Sequence, residues 1–438
     1  MTDFATWARN ATDPDAAAGK PEALSGVRVI EYAPAHFGGM VAASILAELG
    51  AEVVKVEPPG GDPARRLAPE GMAVAGTGLP FLSEARNRRF VTLSPDREEG
   101  RDLFRRLAGR SDVVVTAEPE RAMEAAGIGY LALRRVAPGI VYLSLSTYGA
   151  FGPEAARPVK DADLLCQALS GVPYVTGDPE GEGPDPETQV PTKTGNWHGW
   201  FAQGLWGACG VLAALNFRAD TGKGQFVDVS GAEALMKFVD YNITWMHTAG
   251  RERGRTGVYD PAVFPYTYIR CADGHTFIAA YNDDAFESLA HIIARPELAR
   301  DPRFRTGPDR TKPENEKALH GILEEWSAAR TADEILREIE DYTSKRSGPG
   351  AAVVTGRVNR PLETLAEENW RIRGCFARVT APPYGDLLLA APPWKMSGTP
   401  PRLKSACRPP GADNAAIYSE LLGLTPARIA SLSERGVI

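Results

Sequence analysis

Cysteine is scarce: 438 residues include only 5, and Cys166, Cys209, Cys271, Cys375 and Cys407 stand far apart with no C-x-x-C. An odd, scattered set reads as reduced thiols, which argues against a disulfide framework. Histidine is equally sparse, with 6 residues and no H-x-x-x-H spacing, so no dedicated metal site is expected. No apolar run approaches the roughly 20 residues that span a bilayer. The opening stretch, "MTDFATWARNATDPDAAAGKPEAL", has no apolar core followed by a small-residue cleavage pattern, so it does not read as a secretory signal. The 49 basic residues are spread along the chain and the net charge is −7. With no basic block, neither nucleic acid nor a membrane surface is an expected partner. The expectation is a cytoplasmic protein.

What is present is ordinary globular material, 43% hydrophobic and 24% charged. The length predicts two domains or one elaborated domain. Residues 1–23 read as a small, polar, loosely held arm. "VRVIEY" (Val27–Tyr32) reads as a buried strand, Gly38–Leu49 as a helix and "EVVKVE" (Glu52–Glu57) as a second strand. Such a unit builds a parallel sheet. Arg88–Pro95, Ser111–Ala117 and Gly139–Thr147 supply further strands, with a helix in "EEGRDLFRRLAGR". The alternation predicts a doubly wound α/β sheet. Thr176–Gly195 is rich in Pro, Gly and acids, and reads as a long surface loop of the kind that serves as a lid. Trp200–Ala219 reads as a long apolar helix. "TADEILREIEDY" opens with Thr331 and Glu334 at capping-box spacing.

Two places invite chemistry. The first strand–helix turn, "YAPAHFGG", lies where a parallel sheet binds ligands. A dinucleotide fingerprint needs G-x-G-x-x-G, and only Gly38 and Gly39 are present. Glu57 ends the second strand, where a ribose-binding acid would stand. Without the glycines the better reading is close helix–sheet packing for Gly38 and Gly39 and an ion pair or cap for Glu57. A nicotinamide enzyme is thereby disfavoured.

The second place is "KDADLLCQALSGV". Leu164, Leu165, Ala168, Leu169 and Val172 have helical periodicity, and Gly171 supplies the stop. Asp161 or Asp163 is placed to cap that helix. A carboxylate fixed at a helix start is also a suitable nucleophile toward an activated acyl group. The pattern leaves both roles open.

The order of motifs goes further. "LSGVRVIEYAPAHFGGMVAASILAELGAEVVKVEPPGGDPARR" resembles the opening of the class III CoA-transferases, the relatives of formyl-CoA transferase and carnitine CoA-transferase. The resemblance continues through "RNRRFVTLSPDREEGRDLFRRLAGRSDVVV", "GIVYLSLSTYGAFGP", "DLLCQALSGV", "GKGQFVDVSGAEAL" and "PPWKMSGTPP". It implies a two-domain α/β protein: a large Rossmann-like parallel-sheet domain from residues 24–231 and 376–438, and a smaller α+β domain from 232–375. It also implies an interlocked dimer, either a homodimer or a heteromer with a related chain.

The family's nucleophilic aspartate falls on Asp163, two residues beyond Asp161. It would attack an acyl-CoA thioester to give a mixed anhydride, then an aspartyl-CoA thioester that passes CoA to an acceptor carboxylate. Coenzyme A is part of the substrate, and no permanently bound cofactor is implied. The CoA contacts carry over onto His36, Phe37 and Gly38, onto Asn87, Arg88 and Arg89, and onto Tyr148 and Gly149.

The sequence departs from the family in four places, one of them Ala85, which stands where relatives have the first asparagine of an Asn-Arg-Asn-Lys run. Relatives carry Asn-Phe-Arg-Pro-Gly where this chain reads "AEPER" (Ala117–Arg121), so Arg121 is the residue left to supply charge there. Val258 replaces the asparagine of an Arg-x-Gly-Asn stretch. "GNWHGW" (Gly195–Trp200) offers Trp197 and His198 as an aromatic wall with one polar handle. A racemase of the same superfamily carries histidine immediately before the matched aspartate, and this chain has Ala162. CoA transfer is therefore the expected activity, with an acyl-CoA racemase or isomerase and a non-catalytic partner subunit as alternatives.

Overall fold

The computed structural model describes residues 3–13, 18–157, 162–178, 190–346 and 349–438. They form two compact units. The first comprises Met1–Pro173, Lys193–Gly250 and Glu368–Ile438, and the second Tyr174–Thr192 and Arg251–Glu367.

The first unit is built on six parallel strands, β1 (Arg28–Tyr32), β2 (Glu52–Glu57), β3 (Arg88–Thr92), β4 (Val113–Thr116), β5 (Val141–Ser146) and β6 (Phe226–Ser230). Their order across the sheet is 3-2-1-4-5-6. The chain therefore reverses direction between β1 and β4, the switch point at which such sheets take ligands. Register is fixed by apolar pairs such as Ile30 opposite Val54 and Val114. Apart from the edge strand β6, which is only partly buried, these strands are largely buried on both faces, which is why they read in the sequence as apolar runs rich in Val, Ile and Leu.

One face is covered by α1 (Phe37–Glu48) and by the long helix His198–Thr221. The other is covered by Glu98–Ala108 and by the carboxyl-terminal helices Asn414–Leu422 and Pro426–Glu434. The chain end is stitched in by side chains. Asp413 accepts the Phe90 N–H at 2.8 Å, and the Tyr418 hydroxyl donates to the Thr92 carbonyl at 2.7 Å. The arm expected to be loose contains a helix, Phe4–Thr12, whose N-cap Asp3 accepts the Thr6 N–H at 3.0 Å. Lys20 then ties it down, donating to the carbonyls of Ala11 (2.7 Å) and Ser397 (2.8 Å).

The second unit holds a three-stranded antiparallel sheet of Tyr266–Cys271, Gly274–Ala279 and Val354–Arg357. Three helices close its core over Ile278, Phe286, Leu289, Leu319 and Ile335. The capping box at Thr331 and Glu334 is present as the sequence predicts. Among the described residues, no helix is long and apolar enough to cross a membrane.

Candidate active site

The acid-headed helix is α2, Asp163–Ser170, stopped by Gly171 at φ 83°. Its N-cap is Ala162, in extended backbone and without a side-chain cap. Asp163 is thus the first helical residue and does not cap its own helix, while Asp161 lies outside the described residues. The carboxylate turns instead to another helix. Asp163 Oδ1 accepts the backbone N–H of Trp200 at 3.0 Å. Trp200 is the third residue of α3 (His198–Thr221), whose N-cap, Trp197, offers no side-chain acceptor. A 24-residue helix therefore presents an uncapped positive end, and Asp163 fills it. The approach needs Gly199: a Cβ there would stand 2.9 Å from Asp163 Oδ1 and 3.0 Å from its carbonyl oxygen.

Gln167, one turn further along α2, holds the other oxygen. Its Nε2 donates to Asp163 Oδ2 at 2.6 Å, and its Oε1 accepts the Thr194 N–H at 3.0 Å. The two contacts fix the amide's orientation, because only Nε2 can donate to a carboxylate. Both oxygens of Asp163 thus accept from fixed donors, and the side chain, 6% exposed, is held in one direction. Behind it, Cys166 Sγ lies 3.9 Å from Thr147 Oγ1, joining α2 to the turn after β5.

Asp163 and Gln167 open onto a cleft of about 910 Å³. Phe37, Leu67, Leu79, Trp197, Trp200 and Phe201 supply its apolar wall, and Lys193, Thr194 and Asn196 line another part. Phe37 enters from the first strand–helix turn. There His36 is a buried N-cap, its Nδ1 accepting the Gly39 N–H at 2.9 Å. Gly38 lets α1 meet α3 closely, since a Cβ would lie 3.1 Å from the Trp200 carbonyl. The sequence predicts packing against the sheet for both glycines; Gly38 meets a helix instead, and it is Gly39 whose Cβ would lie 2.6 Å from Ala33, the residue after β1.

The turn rests on buried charge. Ala35, at φ 61°, donates its N–H to Asp62 Oδ1 at 2.7 Å. Asp62 Oδ2 pairs with Lys55 at 2.9 Å, and Lys55 also pairs with Glu31 at 2.9 Å. Burial works to raise the Asp62 carboxyl, but Lys55 and the N–H donors outweigh it and hold the group below its ordinary value. Glu57, the acid at the end of β2, pairs with Arg65 at 2.6 Å and accepts the Asp62 N–H at 2.8 Å.

Other residues singled out in the sequence stand elsewhere. Asn87 has φ 55° and fastens the carboxyl-terminal segment. Its Oδ1 accepts the N–H groups of Lys404 (2.6 Å) and Ser405 (3.0 Å), and its Nδ2 donates to the Arg402 carbonyl (2.7 Å). Arg88 is buried and pairs with Glu31 at 2.6 Å. Its remaining guanidinium nitrogens donate to backbone carbonyls, including Met40 at 2.6 Å and Arg86 at 3.0 Å. Arg89 pairs with Glu52 and Glu420. Arg121 is exposed on the short helix Glu120–Ala125. Tyr148 and Gly149 form the turn after β5, with Arg157 donating to the Tyr148 hydroxyl at 3.3 Å. Trp197 lines the cleft; His198 is exposed at the start of α3 and does not.

Sequence reasoning missed Gln167 and the Trp200 N–H. The spacing of four between Asp163 and Gln167 was the available signal for the first. The second is a tertiary contact with no local signature.

Comparison with known proteins is consistent across sequence and structure. The family model "CoA-transferase family III" matches residues 24–414. The succinyl-CoA–L-malate CoA-transferase alpha subunit of Chloroflexus aurantiacus is 33% identical over 419 residues, covering 95% of this chain and 92% of that protein. The acetyl-CoA:oxalate CoA-transferase of Acetobacter aceti is 31% identical over 362 residues, covering 82% and 86%. A crystal structure of a CaiB/BaiF family protein from Brucella suis superimposes with a TM-score of 0.77 at 28% identity, covering 92% of this chain and all of that one.

Proposed function

The chain belongs to CoA-transferase family III and is an enzyme of that class, and from this premise we propose that it moves CoA between two carboxylic acids with Asp163 as covalent nucleophile. The observation that carries the reading is the carboxylate itself, aimed by Trp200 and Gln167 beside a cleft that runs to the first turn of the sheet.

In the first step an Asp163 oxygen attacks the carbonyl carbon of the donor thioester. The C–S bond breaks, CoA leaves as thiolate, and a mixed anhydride remains. The thiolate then attacks the aspartyl carbonyl carbon of that anhydride. The C–O bond breaks, the donor acid leaves as carboxylate, and an aspartyl-CoA thioester forms. The acceptor carboxylate attacks the same carbon and expels the thiolate, giving a second anhydride. Attack of the thiolate on the acceptor's carbonyl releases the new acyl-CoA and restores Asp163.

Two of these steps put negative charge on the aspartyl carbonyl oxygen. The Trp200 N–H, at the positive end of α3, is the donor that stabilises it. Oδ1 is enclosed between that N–H and Gly199, whereas Oδ2 is held by the cleft-lining Gln167, so Oδ2 is the attacking oxygen. His36 and Gly38, buried behind the cleft wall, shape the turn that faces the pantetheine arm in this reading, and the exposed Arg121 contributes a phosphate contact at the carboxyl end of the sheet. The working form is a homodimer, for which exposed apolar side chains of the first unit, at Phe238, Ile243 and Ile372, provide surface.

The test is transfer of CoA from a panel of acyl-CoA donors, aliphatic and aromatic, to a panel of acids, followed by chromatography. The proposal requires new acyl-CoA products with the wild type and none with Asp163→Asn. Loss of an α-hydrogen to solvent deuterium without CoA exchange would place the chain with the racemases instead.

A further inference from the structure

We propose that the acid exchanged at Asp163 is a monocarboxylate with an apolar body the size of an aromatic ring. This rests on the CoA-transfer reading and adds the substrate class, which differs from the short dicarboxylic acids in the names of several relatives.

Charge decides first. The charged side chains lining the cleft, among the described residues, are Asp163, Glu84 and Lys193. Glu84 is buried and held by Arg86 at 3.1 Å, and Arg86 is also paired with Glu48 at 3.0 Å. Lys193 is exposed, with Nζ donating to the Thr194 carbonyl at 3.3 Å. A dicarboxylic acid presents one carboxylate to Asp163. Its second lies only a few carbons away and must enter the same cleft, where Lys193 is the one cation among the described lining residues to meet it. Removing a carboxylate from water without a partner is strongly unfavourable.

The wall makes the complementary case. The Phe37 ring stands edge-on to Trp197, with centroids 4.8 Å apart, and to Phe201 at 5.4 Å. Trp197 stands edge-on to Trp200 at 5.5 Å. Trp200 is the residue whose N–H holds Asp163, so the aromatic cluster begins at the nucleophile and extends from it. Leu67 and Leu79 add aliphatic wall. Aromatic faces carry partial negative charge, so they attract apolar groups and ring edges and disfavour carboxylates. At about 910 Å³ the cleft has room for a ring-bearing acyl group beside the end of a pantetheine arm.

Each acid is tested against its own thioester, so that no donor needs to be guessed. Labelled 3-phenylpropanoate is exchanged with 3-phenylpropanoyl-CoA, and labelled succinate with succinyl-CoA. The proposal expects kcat/KM for the phenyl pair to exceed that for the succinyl pair by about 10-fold or more, and Trp197→Ala to shrink that ratio. Succinate exchange that is equal or faster, and that is abolished by Lys193→Ala, overturns it. Isothermal titration of the free ligands decides the matter independently of turnover. Tighter binding of 3-phenylpropanoate than of succinate, weakened by Trp197→Ala, supports the proposal. Tighter succinate binding overturns it. Binding of pantetheine but not of 3-phenylpropanoate at the wall also overturns it, by assigning the aromatics to the CoA arm. Absence of exchange for both pairs counts against the CoA-transfer reading, while the titration still reports the class of acid.

Discussion

Asp163 Oδ1 lies 3.0 Å from the backbone nitrogen of Trp200, 37 residues further along the chain. The contact joins the start of one helix to the start of another and gives one carboxylate two duties. As a cap it satisfies an orphan N–H of α3, a contribution of about 1 kcal/mol. As a reactive group it is held still, with the same N–H positioned for charge that forms on its own carbonyl oxygen.

Gln167→Glu places a second carboxylate against Asp163 Oδ2, where the amide nitrogen now stands at 2.6 Å. Two carboxyl groups this close share a proton. Transfer at pH 7 should fall roughly 10- to 100-fold, and the pH–rate profile should gain an ascending limb absent from the wild type. Gln167→Met, which removes the donor without adding charge, should lose rate without that limb. A Gln167→Glu profile parallel to the wild type would show that the side chain does not act on Asp163.

Gly199→Ala introduces a Cβ 2.9 Å from Asp163 Oδ1, with Cys166 Cβ 3.1 Å away on the same side. Both neighbours are buried, and the Asp163 carbonyl oxygen, 3.0 Å from the same Cβ, belongs to the backbone of α2, so α2 or α3 must shift. Transfer should drop on the order of 10²-fold, with roughly 1–3 kcal/mol of stability lost in urea. Full activity in Gly199→Ala would mean that the close approach is incidental.

Much of this was legible in the sequence, and what was not shares one cause. Strands buried on both faces announce themselves as apolar runs, so β1, β2, β4 and β5 are found within two residues of where the pattern puts them. The strand order is invisible locally, because pairing is decided by residues far apart. The same holds for Asn87–Arg88–Arg89. A basic run suggests phosphates, yet Arg88 is neutralised by Glu31, 57 residues away, and Asn87 holds a segment more than 300 positions later. The helix at Phe4–Thr12 was legible in principle, since Asp3 and Thr6 form its cap. In the candidate site, Asp163 emerges from the order of motifs, whereas its partners require the fold.

Asn87→Ala should act on stability. It removes two acceptor contacts and one donor contact to the 402–405 segment and puts alanine at φ 55°. The cost should be roughly 2–4 kcal/mol by chemical denaturation. An unchanged melting temperature with a raised KM for acyl-CoA would return Asn87 to the nucleotide.

Glu316 sets a pH dependence in the second unit. Burial, and then Asp260, push its carboxyl up from 4.5 to about 7, and its Oε1 is buried without a partner among the described residues. The folded state therefore holds this proton more tightly than the unfolded chain. The stability this confers is complete below about pH 4.5 and is lost as pH rises through about 7. Glu316→Gln should be more stable than the wild type at pH 8, by roughly 1–2 kcal/mol, and nearly equal to it at pH 4.5. Denaturation midpoints at the two pH values check this, and a difference independent of pH would contradict it.

The central claim is that Asp163 becomes acylated, and chemical trapping addresses it most directly. The protein is incubated with an acyl-CoA, quenched with hydroxylamine, digested and mapped by mass spectrometry. The account predicts a hydroxamate on Asp163, absent from Asp163→Asn, which keeps an oxygen to accept the Trp200 N–H and so retains its fold. An adduct on Asp161 or on any other carboxylate, or CoA transfer that survives in Asp163→Asn, would contradict it.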